Sequence, residues 1–142
     1  MIIETLKREA LKAFNMNEVP VSCAIIMNNK IIATAFNKTE TQQTILNHAE
    51  LICLEKTQKK YKSWRLKDCE LYVTLEPCLM CASAIIQSRI KKIYYCSESK
   101  FFSSEERELL NLIYEKNNVE LIKIDDNNFS KNLLSEFFKS KR

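Results

Sequence analysis

The chain has 142 residues, 46% of them hydrophobic, with six cysteines, one histidine and no glycine. That length suits one domain, residues 1–142, around a single core. No apolar run approaches the roughly 18 residues of a membrane span, and Glu4, Lys7, Arg8 and Glu9 interrupt the N-terminus too early for a signal peptide. The expectation is a cytoplasmic protein with no membrane partner. The formal net charge of +4 is modest but unevenly spread. Residues 56–67 carry Lys56, Lys59, Lys60, Lys62, Arg65 and Lys67 without one acid. Arg89, Lys91 and Lys92 form a second cluster, and Lys139, Lys141 and Arg142 a third. Each alone reads as a solvated face; three together point to RNA or DNA contact.

The chain alternates helices and strands, with no internal repeat, low-complexity tract or linker. Ile3, Leu6, Ala10, Ala13 and Phe14 recur at helical spacing and predict a first helix over 2–15. Val21–Met27 and Ile31–Phe36 read as strands joined at Asn28-Asn29-Lys30. Asparagine tolerates positive φ, so this turn needs no glycine. A polar loop over 37–46 leads to a helix from His48 to Lys60. Leu71–Leu75 reads as a strand, and Pro77 suits the first turn of a helix that runs to Ser88. Lys92–Cys96 is the next strand. Ser103 and Glu106 form a capping box ahead of Leu109, Leu112 and Ile113. Val119–Ile124 is a fifth strand, and Leu133, Leu134, Phe137 and Phe138 mark a closing amphipathic helix. Five strands with interspersed helices imply a layered α/β domain.

In an intracellular chain, six cysteines read as metal ligands or small buried side chains rather than disulfides. Cys23, Cys53, Cys69 and Cys96 each sit in an apolar stretch and read as core. Cys78 and Cys81 differ. They stand in Pro77-Cys78-Leu79-Met80-Cys81, on one face of a first helical turn, where unpaired N–H groups favour thiolate. The lone histidine stands in His48-Ala49-Glu50 at the start of another helix. His48, Cys78 and Cys81 make three ligands for a tetrahedral zinc and leave the fourth position for water, the arrangement of a catalytic site. Glu50 is not needed as a ligand and can move protons for that water. Alternatives at this level are a solvated Glu50 and a redox dithiol, and the latter leaves His48 and Glu50 unexplained.

His-x-Glu combined with Pro-Cys-x-x-Cys resembles the zinc deaminases. The chain resembles the cytidine deaminase-like superfamily, and within it the bacterial tRNA-specific adenosine deaminases, nearly end to end. The resemblance rests on Glu18-Val19-Pro20-Val21, Phe36-Asn37, His48-Ala49-Glu50, Thr74 to Ala82, Ser88-Arg89-Ile90 and the stretch from Leu134 to Arg142. It implies a three-layer α-β-α sandwich with a central five-stranded mixed sheet and helices on both faces. It also implies a homodimer whose active sites draw on both subunits, with one zinc each. The implied reaction is hydrolytic deamination of the wobble adenosine to inosine in a tRNA anticodon stem-loop, that of an arginine tRNA. His48, Cys78 and Cys81 would hold the metal. Glu50 would activate the water that attacks C6, Asn37 and Ala49 would bind the base, and Lys139, Lys141 and Arg142 would hold RNA. The chain departs from the family pattern at Ser22-Cys23, at Asn47 and across residues 96–104, where the family carries Asp-x-Lys and glycines.

Two other functions share many of these features. A free-base or nucleoside deaminase, acting on guanine or cytosine, would use the same zinc site, but it needs no basic clusters. A zinc-stabilised RNA-binding module would need no proton shuttle at Glu50.

Overall fold

Residue alternation along the strands organises the molecule. The structure is a computed structural model and describes residues 1–141. Its strands are β1 (Ser22–Met27), β2 (Lys30–Phe36), β3 (Cys69–Leu75), β4 (Lys92–Ser97) and β5 (Glu120–Lys123). They form one mixed sheet in the order β2-β1-β3-β4-β5. β1 pairs antiparallel with β2 and β3, whereas β3, β4 and β5 run parallel. Cys23 and Ile25 of β1, Leu71 and Val73 of β3 and Ile93 of β4 face the larger core. Their neighbours Ala24, Tyr72 and Cys96 face a smaller one. Tyr72 and Tyr94 sit opposite each other on β3 and β4, with rings stacked at 4.3 Å.

Helices cover both faces. α3 (Ala49–Tyr61), α4 (Leu79–Gln87) and α5 (Ser104–Lys116) bury Cys53, Leu54, Ile85 and Leu110 in the larger core. α1 (Ile2–Asn15) lies on β1 and β2 and meets α6 (Phe129–Lys139), which packs on β4. Leu6, Ala10 and Ala13 form the buried stripe of α1, at the spacing the sequence shows. The three-layer α-β-α sandwich is therefore present. Cys23, Cys53, Cys69 and Cys96 are all buried and unpaired. No helix among the described residues is long and apolar enough to cross a membrane.

The structure shifts several expected boundaries. The segment over 37–46 contains a short helix, α2 (Thr39–Gln42), where the sequence suggests only loop. β5 is shorter than 119–124 at both ends. α3 starts at Ala49 rather than His48, and α4 at Leu79 rather than Pro77. His48 (φ −69°, ψ 148°) and Cys78 (φ −69°, ψ 172°) are extended and occupy the N-cap positions. Each offers its carbonyl to the first helical bond, from Ile52 at 3.1 Å and from Ala82 at 2.8 Å. An N-cap backbone is not helical, so its side chain leaves the helix end rather than its flank.

A glycine-free chain must place other residues at positive φ. Nine described residues adopt it, and six of them are asparagine. Asn28 (φ 52°) and Asn29 (φ 63°) make the β1–β2 turn with both residues left-handed, as that hairpin type requires. Lys62 (φ 51°) ends α3 in the same conformation without asparagine's local hydrogen bonding. Lys62→Gly should therefore stabilise the protein by about 1 kcal/mol and raise Tm by roughly 3 °C in a thermal melt. A lower Tm would mean that the lysine side chain outweighs its backbone strain.

Candidate functional site

The two N-caps bring their side chains together. His48 Nδ1 lies 3.6 Å from Cys78 Sγ and 3.5 Å from Cys81 Sγ. All three donor atoms fall within 4.8 Å of one another, a group that could hold a metal ion. Cys78 reaches it from the N-cap of α4 and Cys81 from the end of the first turn. Glu50 stands in the first turn of α3 and is buried, as is Cys81.

Protons are unevenly shared here. A hydrogen bond from Cys81, reinforced by His48, holds the Cys78 thiol down at about 4. The same Cys78 partner and burial push Cys81 up, so one thiolate is favoured and the second is disfavoured beside it. The hydrogen bond to Cys78 raises His48. Burial pushes the Glu50 carboxyl up to about 7. A divalent cation would relieve this crowding by drawing both thiols into their charged form.

Beside this group lies a cavity of about 290 Å3, near the small end of the usual range for ligand pockets. His48, Glu50 and Cys78 line it, together with Asn37, Phe101 and Phe102. Asn37 is buried, and its Oδ1 accepts the Ala49 N–H at 2.8 Å. That bond ties the end of β2 to the start of α3. The side-chain nitrogen of Asn37 donates to no protein acceptor among the described residues. Ala49 is fully buried and its N–H is committed to Asn37, so it lies behind the cavity wall rather than on it.

Two carboxylates to which the sequence assigns no role hold this wall. Glu18 is 1% exposed and accepts the backbone N–H groups of Glu40 at 3.1 Å and Thr41 at 2.6 Å. It anchors α2 beside the cavity. Glu76 is also buried. Its carboxylate takes two bonds from Arg107 of α5, at 3.0 and 3.1 Å, and one from the Ser99 N–H at 2.8 Å. Arg107 also donates to the Ser99 carbonyl at 3.3 Å and lies over the Phe102 ring at 5.3 Å. The departing segment 96–104 is thus clamped against the residue two before Cys78. Glu76 lies inside the motif that carries the resemblance, so its presence was visible in the sequence. Its partner, 31 residues away, was not.

The expected RNA-binding residues lie elsewhere. Lys139 is exposed at the end of α6. Lys141 bonds the Asn17 side chain and lies 5.3 Å from the centre of the Phe137 ring. Neither lines the cavity, and Arg142 falls outside the described residues.

The MafB19-like deaminase family matches residues 2–142. The tRNA-specific adenosine deaminase of Bacillus subtilis is 43% identical over 88 residues, which cover 62% of this chain and 55% of that protein. A solved structure from biochemical and structural studies of A-to-I editing by tRNA:A34 deaminases superimposes with a TM-score of 0.76. It is 28% identical and covers 85% of this chain and 95% of its own. A solved structure from work on guanine deaminase of Nitrosomonas europaea shares the fold, with a TM-score of 0.83 at 19% identity, over 95% of this chain and 81% of its own.

Arg107→Ala should leave the Glu76 carboxylate buried without its partner. The Arg107 side chain is 41% exposed, so the loss falls below that of a fully buried pair, at about 2 kcal/mol or roughly 6 °C in Tm. Glu76→Gln, which still accepts from Ser99, should lose less. A melt of Arg107→Ala unchanged from the parent would show that the clamp contributes nothing to stability.

Proposed function

Since this chain belongs to the MafB19-like deaminase family, we propose that it is a hydrolytic deaminase converting the wobble adenosine of a transfer RNA to inosine. We take the whole chain as one deaminase domain, acting on an arginine tRNA in the cytoplasm. The carrying observation is the meeting of His48, Cys78 and Cys81 beside buried Glu50, at the wall of a cavity sized for a nucleobase. The Bacillus relative and the A34 deaminase structure support the choice of substrate.

The residues fit zinc. Tetrahedral zinc with two thiolates and an imidazole requires nitrogen-to-sulfur separations of about 3.5 Å. The two here are 3.6 and 3.5 Å. His48, Cys78 and Cys81 would hold the ion, with one position left over. Zinc in such a site lowers the pKa of water enough to supply a nucleophile near neutral pH. Glu50 takes a proton from the attacking water and returns it to the departing amine, so adenosine and water give inosine and ammonia. Asn37, locked through Oδ1, directs its amide N–H groups toward a purine ring nitrogen. Ala49 holds Asn37 in that orientation through its N–H.

We also read the protein as a homodimer. Ile45 and Leu46 are more than half exposed. Leu46 lines a groove between α3 and α4 with Leu51, Ile52 and Ala84, a surface suited to a second copy. Lys139, Lys141 and Arg142 supply phosphate contacts for the anticodon stem.

Incubation with an arginine-tRNA stem-loop, followed by mass spectrometry, should yield inosine at the wobble position. Glu50→Ala should lower the rate by about 10²- to 10⁴-fold while zinc content and melting temperature persist. A zinc-loaded protein that deaminates free guanine or cytosine, and not the RNA, would move the reading to a small-molecule enzyme. Deleting residues 139–142 should weaken RNA binding and reduce the slope of log affinity against log salt by about 0.7–0.9 per lost contact. An unchanged slope would remove the tail from the RNA-binding surface.

A further inference from the structure

The fold joins two of the basic clusters at one aromatic ring. Trp64 stands in the loop between α3 and β3 and is 47% exposed. The Arg65 guanidinium lies over it, 4.3 Å from the ring centre. Arg89, just past the end of α4, places its guanidinium 5.3 Å from the same ring. The loop that carries the ring is fixed. Gln58 of α3 donates to the Trp64 carbonyl at 3.0 Å and to Ser88 Oγ at 3.2 Å. The Leu66 N–H donates to the Ser88 carbonyl at 2.7 Å, and the Leu66 side chain is buried. A ring that only sealed the core would be buried as Leu66 is. Trp64 instead stays at the surface and holds two cations there.

Both cations keep donors to spare. A guanidinium stacked on a ring uses its face and leaves its N–H edge free. Arg89 gives one donor to the Gln87 carbonyl, at 3.0 Å. Neither arginine forms an ion pair among the described residues, and both are exposed. Lys62 and Lys67, on the same loop, are exposed and unpaired as well. The next acids along the chain do not neutralise them: Asp68 pairs with none, and Glu70 takes Lys92 at 4.0 Å. Arg89 holds its place with a left-handed backbone (φ 72°), which glycine or asparagine adopts at lower cost after a helix. Two guanidinium forks fixed on one ring match phosphate oxygens, which accept paired N–H bonds.

This patch and the candidate site lie at opposite ends of α3. His48 caps the start of that helix and Lys62 its end, about 20 Å apart at 1.5 Å per residue. A free base in the cavity has no charge that reaches so far. A folded RNA does, because its phosphates continue beyond the nucleotide that reacts. We propose that Trp64, Arg65 and Arg89 form a phosphate-binding surface for the double-stranded part of the substrate RNA, remote from the loop that enters the cavity. This rests on the RNA reading above. Proteins meet duplex RNA through its backbone and shape rather than its base edges, so the surface adds affinity without preference for sequence.

The test measures binding by fluorescence anisotropy in proteins carrying Glu50→Ala, so that RNA is not consumed. The probes are a full-length arginine tRNA and its isolated anticodon stem-loop. The tRNA should bind the parent more tightly than the stem-loop does. Arg65→Gln with Arg89→Gln should weaken tRNA binding about tenfold, lower the salt slope by about 0.7–0.9 per arginine, and bring the two RNAs to similar affinity. Replacing both arginines with lysine should restore the salt slope but not the whole affinity, because charge returns without the fork. Trp64→Phe should keep most of the binding, and Trp64→Leu should lose it as an arginine variant does, with melting temperatures confirming that each protein is folded. Parent-like binding and slope in the double glutamine variant would overturn the surface and leave the deaminase reading standing. A double variant that becomes monomeric in sedimentation while binding RNA as the parent does would assign the patch to contact between copies and overturn it too. A parent that neither binds nor deaminates either RNA would overturn both readings.

Discussion

Two helices that begin at the same point govern the rest of this structure. His48 caps α3 and Cys78 caps α4, and their extended backbones throw both side chains off the helix ends into one space. Cys81, one turn in, completes the group. Thiolates are most easily kept at a helix N-terminus, where backbone N–H groups lack partners and the dipole favours negative charge. The sheet exists, in functional terms, to hold those ends in register. β3 delivers Cys78, and β2 delivers Asn37, whose bond to Ala49 fixes the first turn of α3. Moving either helix by one residue would separate His48 from the sulfurs.

The walls of the cavity are held by buried carboxylates acting on backbone. Glu18 binds two consecutive N–H groups of α2, and Glu76 binds one N–H of the segment after β4 together with Arg107. This serves a chain that has no glycine to shape its loops. Asparagine takes most of the left-handed positions, and the buried carboxylates of Glu18 and Glu76 then pin the loops. The same pinning sets Phe101 on the cavity wall, with Phe138 edge-on behind it.

Much of this was legible in the sequence because it is local. The asparagine turn, the Ser103–Glu106 capping box and the apolar stripe of α1 each follow from residues within a few positions of one another, and each is present. The ligand candidates could be paired because few residue types offer soft donors and the chain has only one histidine. The helix starts lie one or two residues later than expected, since an N-cap residue such as His48 or Cys78 looks in sequence like a helical one. The contacts of Glu18 with α2 and of Arg107 with Glu76 could not be read. A charged residue is ordinarily solvated, and only the fold brings Arg107 to Glu76. Ala49, expected at the base, meets Asn37 instead through its backbone N–H, a contact no local pattern announces.

Zinc-edge X-ray absorption on the purified, metal-loaded protein tests the central arrangement most directly. The account predicts two sulfurs at about 2.3 Å and two lighter atoms at about 2.0–2.1 Å, one of them the His48 nitrogen. Cys78→Ser should remove one sulfur from that shell. A shell of four sulfurs, or one in which Cys78→Ser changes nothing, would contradict the assignment of His48, Cys78 and Cys81 as the metal site.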